Sequence, residues 1–278
     1  MKTILVPTDY SAASANAVEY ASTLARLIEA RIILYHTYHI TLSSVDYFSG
    51  MMPPFPDISQ IEQSSLEEYA QRFRTDSGEL VISKCLTSPG FAADEIPDYA
   101  GIVNADMVVM GISGPGKTGH PLFGSITTSV IEKTKRALLL VPEKVKFETP
   151  KRIAYACDLE QNICTEVVER VKAFARLFNA ELFVINVEQP GQEISDQKAF
   201  VSRQLVSELQ GVTHSLHFPS HQDVVTGLVS FEDRYGLDML VMVARKHTLF
   251  QQLFHASKTR KMIGNTHVPI LVLHGGVC

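Results

Sequence analysis

Lys2-Thr3-Ile4-Leu5-Val6-Pro7-Thr8-Asp9 is a short aliphatic run closed by a proline and a carboxylate, and 149 residues later the pattern returns as Lys151-Arg152-Ile153-Ala154-Tyr155-Ala156-Cys157-Asp158. An apolar run of this length, bounded in this way, reads as a buried strand. After the first copy, Ala17, Tyr20, Ala21, Leu24, Leu27 and Ile28 recur at helical spacing; after the second, Val167, Val171, Phe174, Ala175 and Phe178 do the same. A second strand follows each helix, as Ala30-Arg31-Ile32-Ile33-Leu34-Tyr35-His36 and as Ala180-Glu181-Leu182-Phe183-Val184-Ile185-Asn186. The chain is therefore a tandem repeat, and the repeat unit begins strand–helix–strand.

The remaining elements repeat too. Helices are expected at about 58–75 and 195–210, polar strands at about 79–86 and 212–218, and helices again at about 91–103 and 222–235. Then come the apolar strands Asp106–Met110 and Asp238–Met242, helices at about 125–135 and 256–264, and the final strands Ala137–Val141 and Val268–Leu273. Strands alternating with helices at this spacing predict α/β architecture, two tandem doubly wound domains with five-stranded parallel sheets. The charged, proline-bounded stretch 143–150 is the expected linker, so the domains are read as residues 1–146 and 147–278. A long loop, from Tyr38 to about Pro56, has little counterpart in the second copy.

Composition narrows the function classes. With 25 Lys+Arg against 30 Asp+Glu, the net charge of −5 argues against nucleic acid as the main partner. No apolar run reaches the ~18 residues that a membrane-spanning helix needs, and Pro7 and Asp9 interrupt any signal-peptide pattern. Cys85, Cys157, Cys164 and Cys278 show no paired spacing, which argues against a disulfide framework or a cysteine-rich zinc site and favours a cytoplasmic location.

The segment most informative about chemistry runs from Met107 to Val130, MVVMGISGPGKTGHPLFGSITTSV. Five glycines, Gly111, Gly114, Gly116, Gly119 and Gly124, fall between an expected strand and an expected helix, at the carboxyl end of the sheet where open α/β folds place ligands. Absent Cβ atoms let backbone N–H groups approach an anion, and a helix beginning at Ser125 would add its unpaired amides and dipole. Gly111-Ile112-Ser113-Gly114-Pro115-Gly116-Lys117-Thr118 also satisfies the Walker A pattern, with Lys117 on the phosphates. Its context does not fit: Gly119 and Pro121 stop the helix that should begin at the Lys-Thr step.

The spacing Gly111-x2-Gly114-x9-Gly124-Ser125 and the opening Ile4–Asp9, with Ser11 and Ser14 after it, resemble the universal stress protein family, in which G-x2-G-x9-G-[ST] marks ATP-binding members. The resemblance spans almost the whole chain as a tandem pair and implies a Rossmann-like, adenine nucleotide alpha hydrolase-like fold. It implies that Pro7, Thr8 and Asp9 contact adenosine, with the Asp9 carboxylate toward ribose or base. Thr37 would line the adenine pocket, where the family's usual apolar residue is absent. Met110 and Gly111 would border the nucleotide, and Gly114, Gly124, Ser125, Ile126 and Thr127 would hold phosphate. The implied ligand is ATP accompanied by magnesium ion, and the implied role is a stress-response switch or scaffold for a protein partner.

Other features carry less chemistry. His214, His217 and His221 fall on a strand and the turn after it, where alternation sends the first two to opposite faces. No catalytic residue or resident metal ligand is read from the chain, so turnover beyond slow hydrolysis is not expected; the alternatives are an NTPase using Lys117 and an interaction module with a vestigial pocket. In the second copy Gly111, Gly114 and Gly124-Ser125 become Val243, Lys246 and His255-Ala256, so one nucleotide per chain is expected. The apolar final strands are expected to pair the two copies as an internal pseudo-dimer; further association between chains is left open.

Overall fold

The computed structural model describes residues 2–39, 57–74, 81–112, 124–159, 163–191, 195–244 and 267–275. The first half runs β1 (Lys2–Pro7), α1 (Ala12–Ile28), β2 (Ala30–Tyr38), α2 (Ile58–Ala70), β3 (Ile82–Pro89), α3 (Ala92–Ile102), β4 (Met107–Ile112), α4 (Ser125–Lys133) and β5 (Ala137–Pro142). The second half runs β6 (Arg152–Ala156), α5 (Thr165–Phe178), β7 (Glu181–Ile185), α6 (Asp196–Glu208), β8 (His214–His217), α7 (Val224–Tyr235), β9 (Met239–Ala244) and β10 (Ile270–His274). The helix expected at about 256–264 lies outside the described residues.

All ten strands form one sheet in the order β3-β2-β1-β4-β5-β10-β9-β6-β7-β8. Each half is parallel within itself and has the same doubly wound order. The halves meet by an antiparallel pairing of their last strands, Leu139 opposite Leu271 and Leu138 opposite Val272. Because strand side chains alternate, one strand feeds two cores: Ile4 and Val6 enter one, under α1, α2, α5 and α6, while Leu5 enters the other, under α3, α4 and α7. Burial on both faces explains why the central strands read as unbroken apolar runs.

Three details depart from the sequence expectations. The helix expected at about 58–75 ends at Ala70 and tightens into a 3-10 turn at Gln71–Phe73. The polar strand expected at about 79–86 lies three residues later, because β3 follows β2 to its end, with Thr87 opposite His36 and Pro89 opposite Tyr38. Pro89 is tolerated because β3 is an edge strand, with one side free of ladder demands. Cys164, at the start of α5, is disulfide-bonded; cysteine spacing excludes a framework of several bridges more readily than a single one. The segment after β5 is docked: Asn16 Nδ2 donates to the carbonyls of Pro142 (3.0 Å) and Val145 (2.8 Å), and Phe147 packs edge-on to Tyr20.

Candidate functional site

In the first half β1 is the strand at which the winding reverses, with β2 on one side and β4 on the other, so a crevice opens beyond their carboxyl ends. A cavity of about 340 Å³ occupies that position. Pro7, Thr8 and Asp9 reach it from β1, Thr37 from β2, Met110 and Gly111 from β4, and Gly124, Ser125, Ile126 and Thr127 from the start of α4. Ten of the eleven residues singled out in the sequence thus line one cavity. The eleventh, Gly114, lies outside the described residues, as do Lys117 and Thr118. The first described helix after β4 begins at Ser125, seven residues beyond the Lys-Thr step of the Walker pattern.

The β1 end is a fixed turn. Ser11 caps α1 by accepting from the Ser14 amide, and the Ser11 amide donates to Asp9 Oδ1 at 3.0 Å. Thr8 Oγ1 lies 3.1 Å from Ser14 Oγ and accepts from the Tyr10 amide at 3.1 Å. Tyr10 takes a left-handed backbone (φ 62°), held by that bond and by ring contacts with His36 and Tyr69. Burial pushes the Asp9 carboxyl up, but the hydrogen bonds from Ser11 and Ser14 outweigh it and hold the group below its ordinary value. Asp9 is therefore an ionised acceptor with further lone pairs to offer.

On the β2 side, His36 Nδ1 lies 2.7 Å from the Thr8 carbonyl, an acceptor only, so that nitrogen is the donor. Tyr35, Ala92, Ile96 and Ile112 complete an apolar wall. Tyr35 is itself fixed by stacking on Tyr99 and by a long bond (3.5 Å) to Glu95, which also accepts from Ser88 at 2.8 Å. Sequence reasoning missed His36 and this wall. The helical spacing of Ala92 and Ile96, the latter three residues short of Tyr99, was the available signal.

On the β4 side, α4 opens at Gly124 without a side-chain cap, and its first ladder bond joins the Thr128 amide to the Gly124 carbonyl. Among the described residues nothing accepts from the amides of the first turn, the usual place for an external acceptor. Gly124 has ordinary extended torsions, and among the described residues a Cβ there would meet nothing within 4 Å. The packing of the described residues does not demand glycine at this point; a group approaching from the cavity would.

His214, His217 and His221, close together in the sequence, are spent separately. His214 Nδ1 contacts the Val212 carbonyl, His221 Nδ1 accepts from the Asp223 amide, and the His217 ring stacks on Phe183. Among the described residues no helix is long and apolar enough to cross a membrane.

Two fused doubly wound sheets with a polar-ended cavity at the switch point define a tandem Rossmann-like α/β protein. The chain belongs to the universal stress protein family, whose model matches residues 1–142. It is 30% identical to the universal stress protein Sll1654 of Synechocystis sp. over 141 residues, covering 51% of this chain and 85% of that protein. Slr1230, a universal stress protein of the same organism, matches at 21% identity across 98% of this chain and 99% of its own length. The fold is shared with the crystal structure of a universal stress protein from Archaeoglobus fulgidus DSM 4304, at a TM-score of 0.73 and 18% identity over 99% of this chain and 98% of that one.

Proposed function

We propose that this chain is an ATP-binding regulatory protein of the stress response, acting as a cytoplasmic nucleotide-dependent switch or scaffold. In this reading residues 1–146 form the nucleotide-binding unit, and 147–278 form a second unit with a degenerate motif. The observation that carries it is the division of one cavity, of ligand size, between an ionised carboxylate at Asp9 and the first-turn amides of α4, with open space among the described residues at Gly124.

Adenine fits the β2 side, against Ala92, Ile96, Tyr35 and Thr37, where a flat apolar ring finds matching walls. Asp9 accepts hydrogen bonds from ribose hydroxyls, the use a strand-end carboxylate has in dinucleotide folds. The phosphates, with magnesium, sit at the Ser125–Thr127 amides, where helix dipole and donors act together. No general base for water is assigned, so binding rather than turnover is the expected output.

Calorimetric titration of the full chain with ATP and magnesium is the test. Wild type should bind, Asp9→Asn should bind more weakly, and Gly124→Val, whose side chain enters the phosphate space, should not bind. Undiminished binding by Gly124→Val would place the site elsewhere. Rapid turnover lost in Lys117→Ala would make the protein an NTPase instead.

A further inference from the structure

A second cavity, of about 310 Å³, lies on the same half of the sheet, away from the strand ends. Glu19, Ser22, Thr23 and Arg26 of α1 form one side, and Arg72, Phe73, Arg74 and Val81, from the 3-10 turn and the approach to β3, form the other. In a chain of net charge −5 this cavity gathers three guanidinium groups. Its one acidic lining residue among those described, Glu19, is engaged by Lys146 Nζ at 2.6 Å.

The cations are differently placed. Arg74 is held by Gln71 Oε1, at 2.9 Å from Nε. Arg72 lies over the Tyr69 ring, 5.5 Å from its centroid, and Arg26 Nη2 reaches only the Thr23 hydroxyl, at 3.4 Å. Neither Arg26 nor Arg72 faces a carboxylate among the described residues. The hydroxyls differ as well: Thr23 Oγ1 donates back to the Glu19 carbonyl at 3.3 Å, whereas Ser22 Oγ is buried and has no partner. Arg26 and Arg72, with no carboxylate beside them among the described residues, keep donors to offer an anion, and a buried hydroxyl without a partner costs about 1–3 kcal/mol. An entering oxyanion would accept from those donors, and a small local adjustment would let it satisfy the hydroxyl.

We propose that this cavity is a second ligand site, selective for the phosphate group of a small phosphorylated molecule. Planar guanidinium groups pair with phosphate oxygens two at a time, which argues for phosphate over a single carboxylate. Phe73 and Val81 give the organic part an apolar floor, and the volume suits a small molecule. The site is independent of the nucleotide cavity, although α1 contributes to both: Ser11, Ala13 and Ser14 to one, Ser22, Thr23 and Arg26 to the other.

The experiment titrates full-length protein with inorganic phosphate and with glycerol 3-phosphate at constant ionic strength, followed by phosphorus NMR and calorimetry. Gly124→Val should still bind both. The exposed double variant Arg26→Ala/Arg72→Ala, checked for fold by circular dichroism, should lose more than about ten-fold in affinity, given two charge-assisted contacts removed. Lysine at both positions should recover only part of the loss. Failure of wild type to bind, unchanged binding in the double alanine variant, or loss confined to Gly124→Val would each overturn the proposal. A phosphoserine peptide that binds more tightly than glycerol 3-phosphate would overturn the small-molecule assignment.

Discussion

Gly111 lies directly against the backbone of Ala13: a Cβ built on Gly111 would stand 2.1 Å from the Ala13 carbonyl oxygen and 2.8 Å from the Ser14 amide nitrogen. The first turn of α1 can approach the end of β4 only because that position carries no side chain. The two motif glycines therefore do different things. Gly111 sets the distance between a helix and the sheet, whereas Gly124 leaves open the space in front of α4.

Gly111→Ala should lower stability, since the obstacle is backbone and cannot rotate away. Overpacking of this kind costs about 1–3 kcal/mol, so the melting temperature should fall while nucleotide affinity weakens with it. Gly124→Ala should leave the melting temperature within experimental scatter, because its torsions suit any residue and its Cβ has room. Thermal unfolding of both variants beside wild type checks the contrast, and equal destabilisation would show that the two positions are not distinct.

One ATP per chain is the expected stoichiometry. Strand register places Val243 where the first half has Gly111, and Val187 where it has Thr37. Val187 is closed upon by α7: a Cβ on Gly227 would lie 2.7 Å from Val187 Cγ1. Val187 thus lies against α7 at the position where Thr37 of the first half faces a cavity. Nor is α5 drawn against its sheet in the same way, since it begins at Thr165, seven residues past Asp158, whereas α1 begins three residues past Asp9. Lys246, His255 and Ala256 lie outside the described residues. Calorimetry giving two equivalents of ATP would place a site in the second half.

What could be read in advance follows from how local the signal is. Strand ends, helix starts and the glycine spacing are written in contiguous residues, so Pro7–Asp9 and Gly124–Thr127 could be named and do line one cavity. The apolar wall could not, because Tyr35 and Ile96 meet only after α3 folds back over β2. The basic cavity was hidden for the same reason: Arg26 and Arg72 lie on separate elements, and no motif joins them. The distinct duties of Gly111 and Gly124 were also out of reach, since absence of a Cβ looks identical in sequence whatever it makes room for.

The junction between halves carries a pH-dependent term. His274, from β10, sets Nε2 2.8 Å from the Ile131 carbonyl in α4 and Nδ1 3.1 Å from the Arg136 carbonyl. Burial pushes its pKa below the ordinary 6.5; the two carbonyls pull it partly back, and the positive charge of Arg170 on α5 pushes it down further. His217 is lowered as well, by burial, against the opposing charge of Glu181. With native values below the unfolded one, the unfolded chain takes up protons first as pH falls, so stability decreases from about pH 6.5 downward. Melting curves between about pH 7 and 5 should show the decline, and His274→Gln with His217→Gln should flatten it. An identical slope in the double variant would assign the effect to other groups.

The seam between β5 and β10 sets a last expectation. Leu138, Leu139 and Leu140 are buried opposite Val272, Leu271 and Ile270, and the backbone groups along that edge of β5 are satisfied only by the second half. Residues 1–146 expressed alone would present β5 as an open edge of aliphatic side chains and unpaired amides, which seeks another strand. The partner strand in the full chain is antiparallel and carries nearly the same aliphatic pattern, Ile270-Leu271-Val272-Leu273 against Leu138-Leu139-Leu140-Val141. A second β5 is therefore a ready substitute, and the fragment should dimerise through it. Sedimentation of the fragment should show concentration-dependent dimers, and Leu139→Lys, which places a charge beside the seam, should weaken them. A fragment that stays monomeric and well folded at every concentration would mean that α/β packing within the first half suffices, and that the seam joins two units already stable without it.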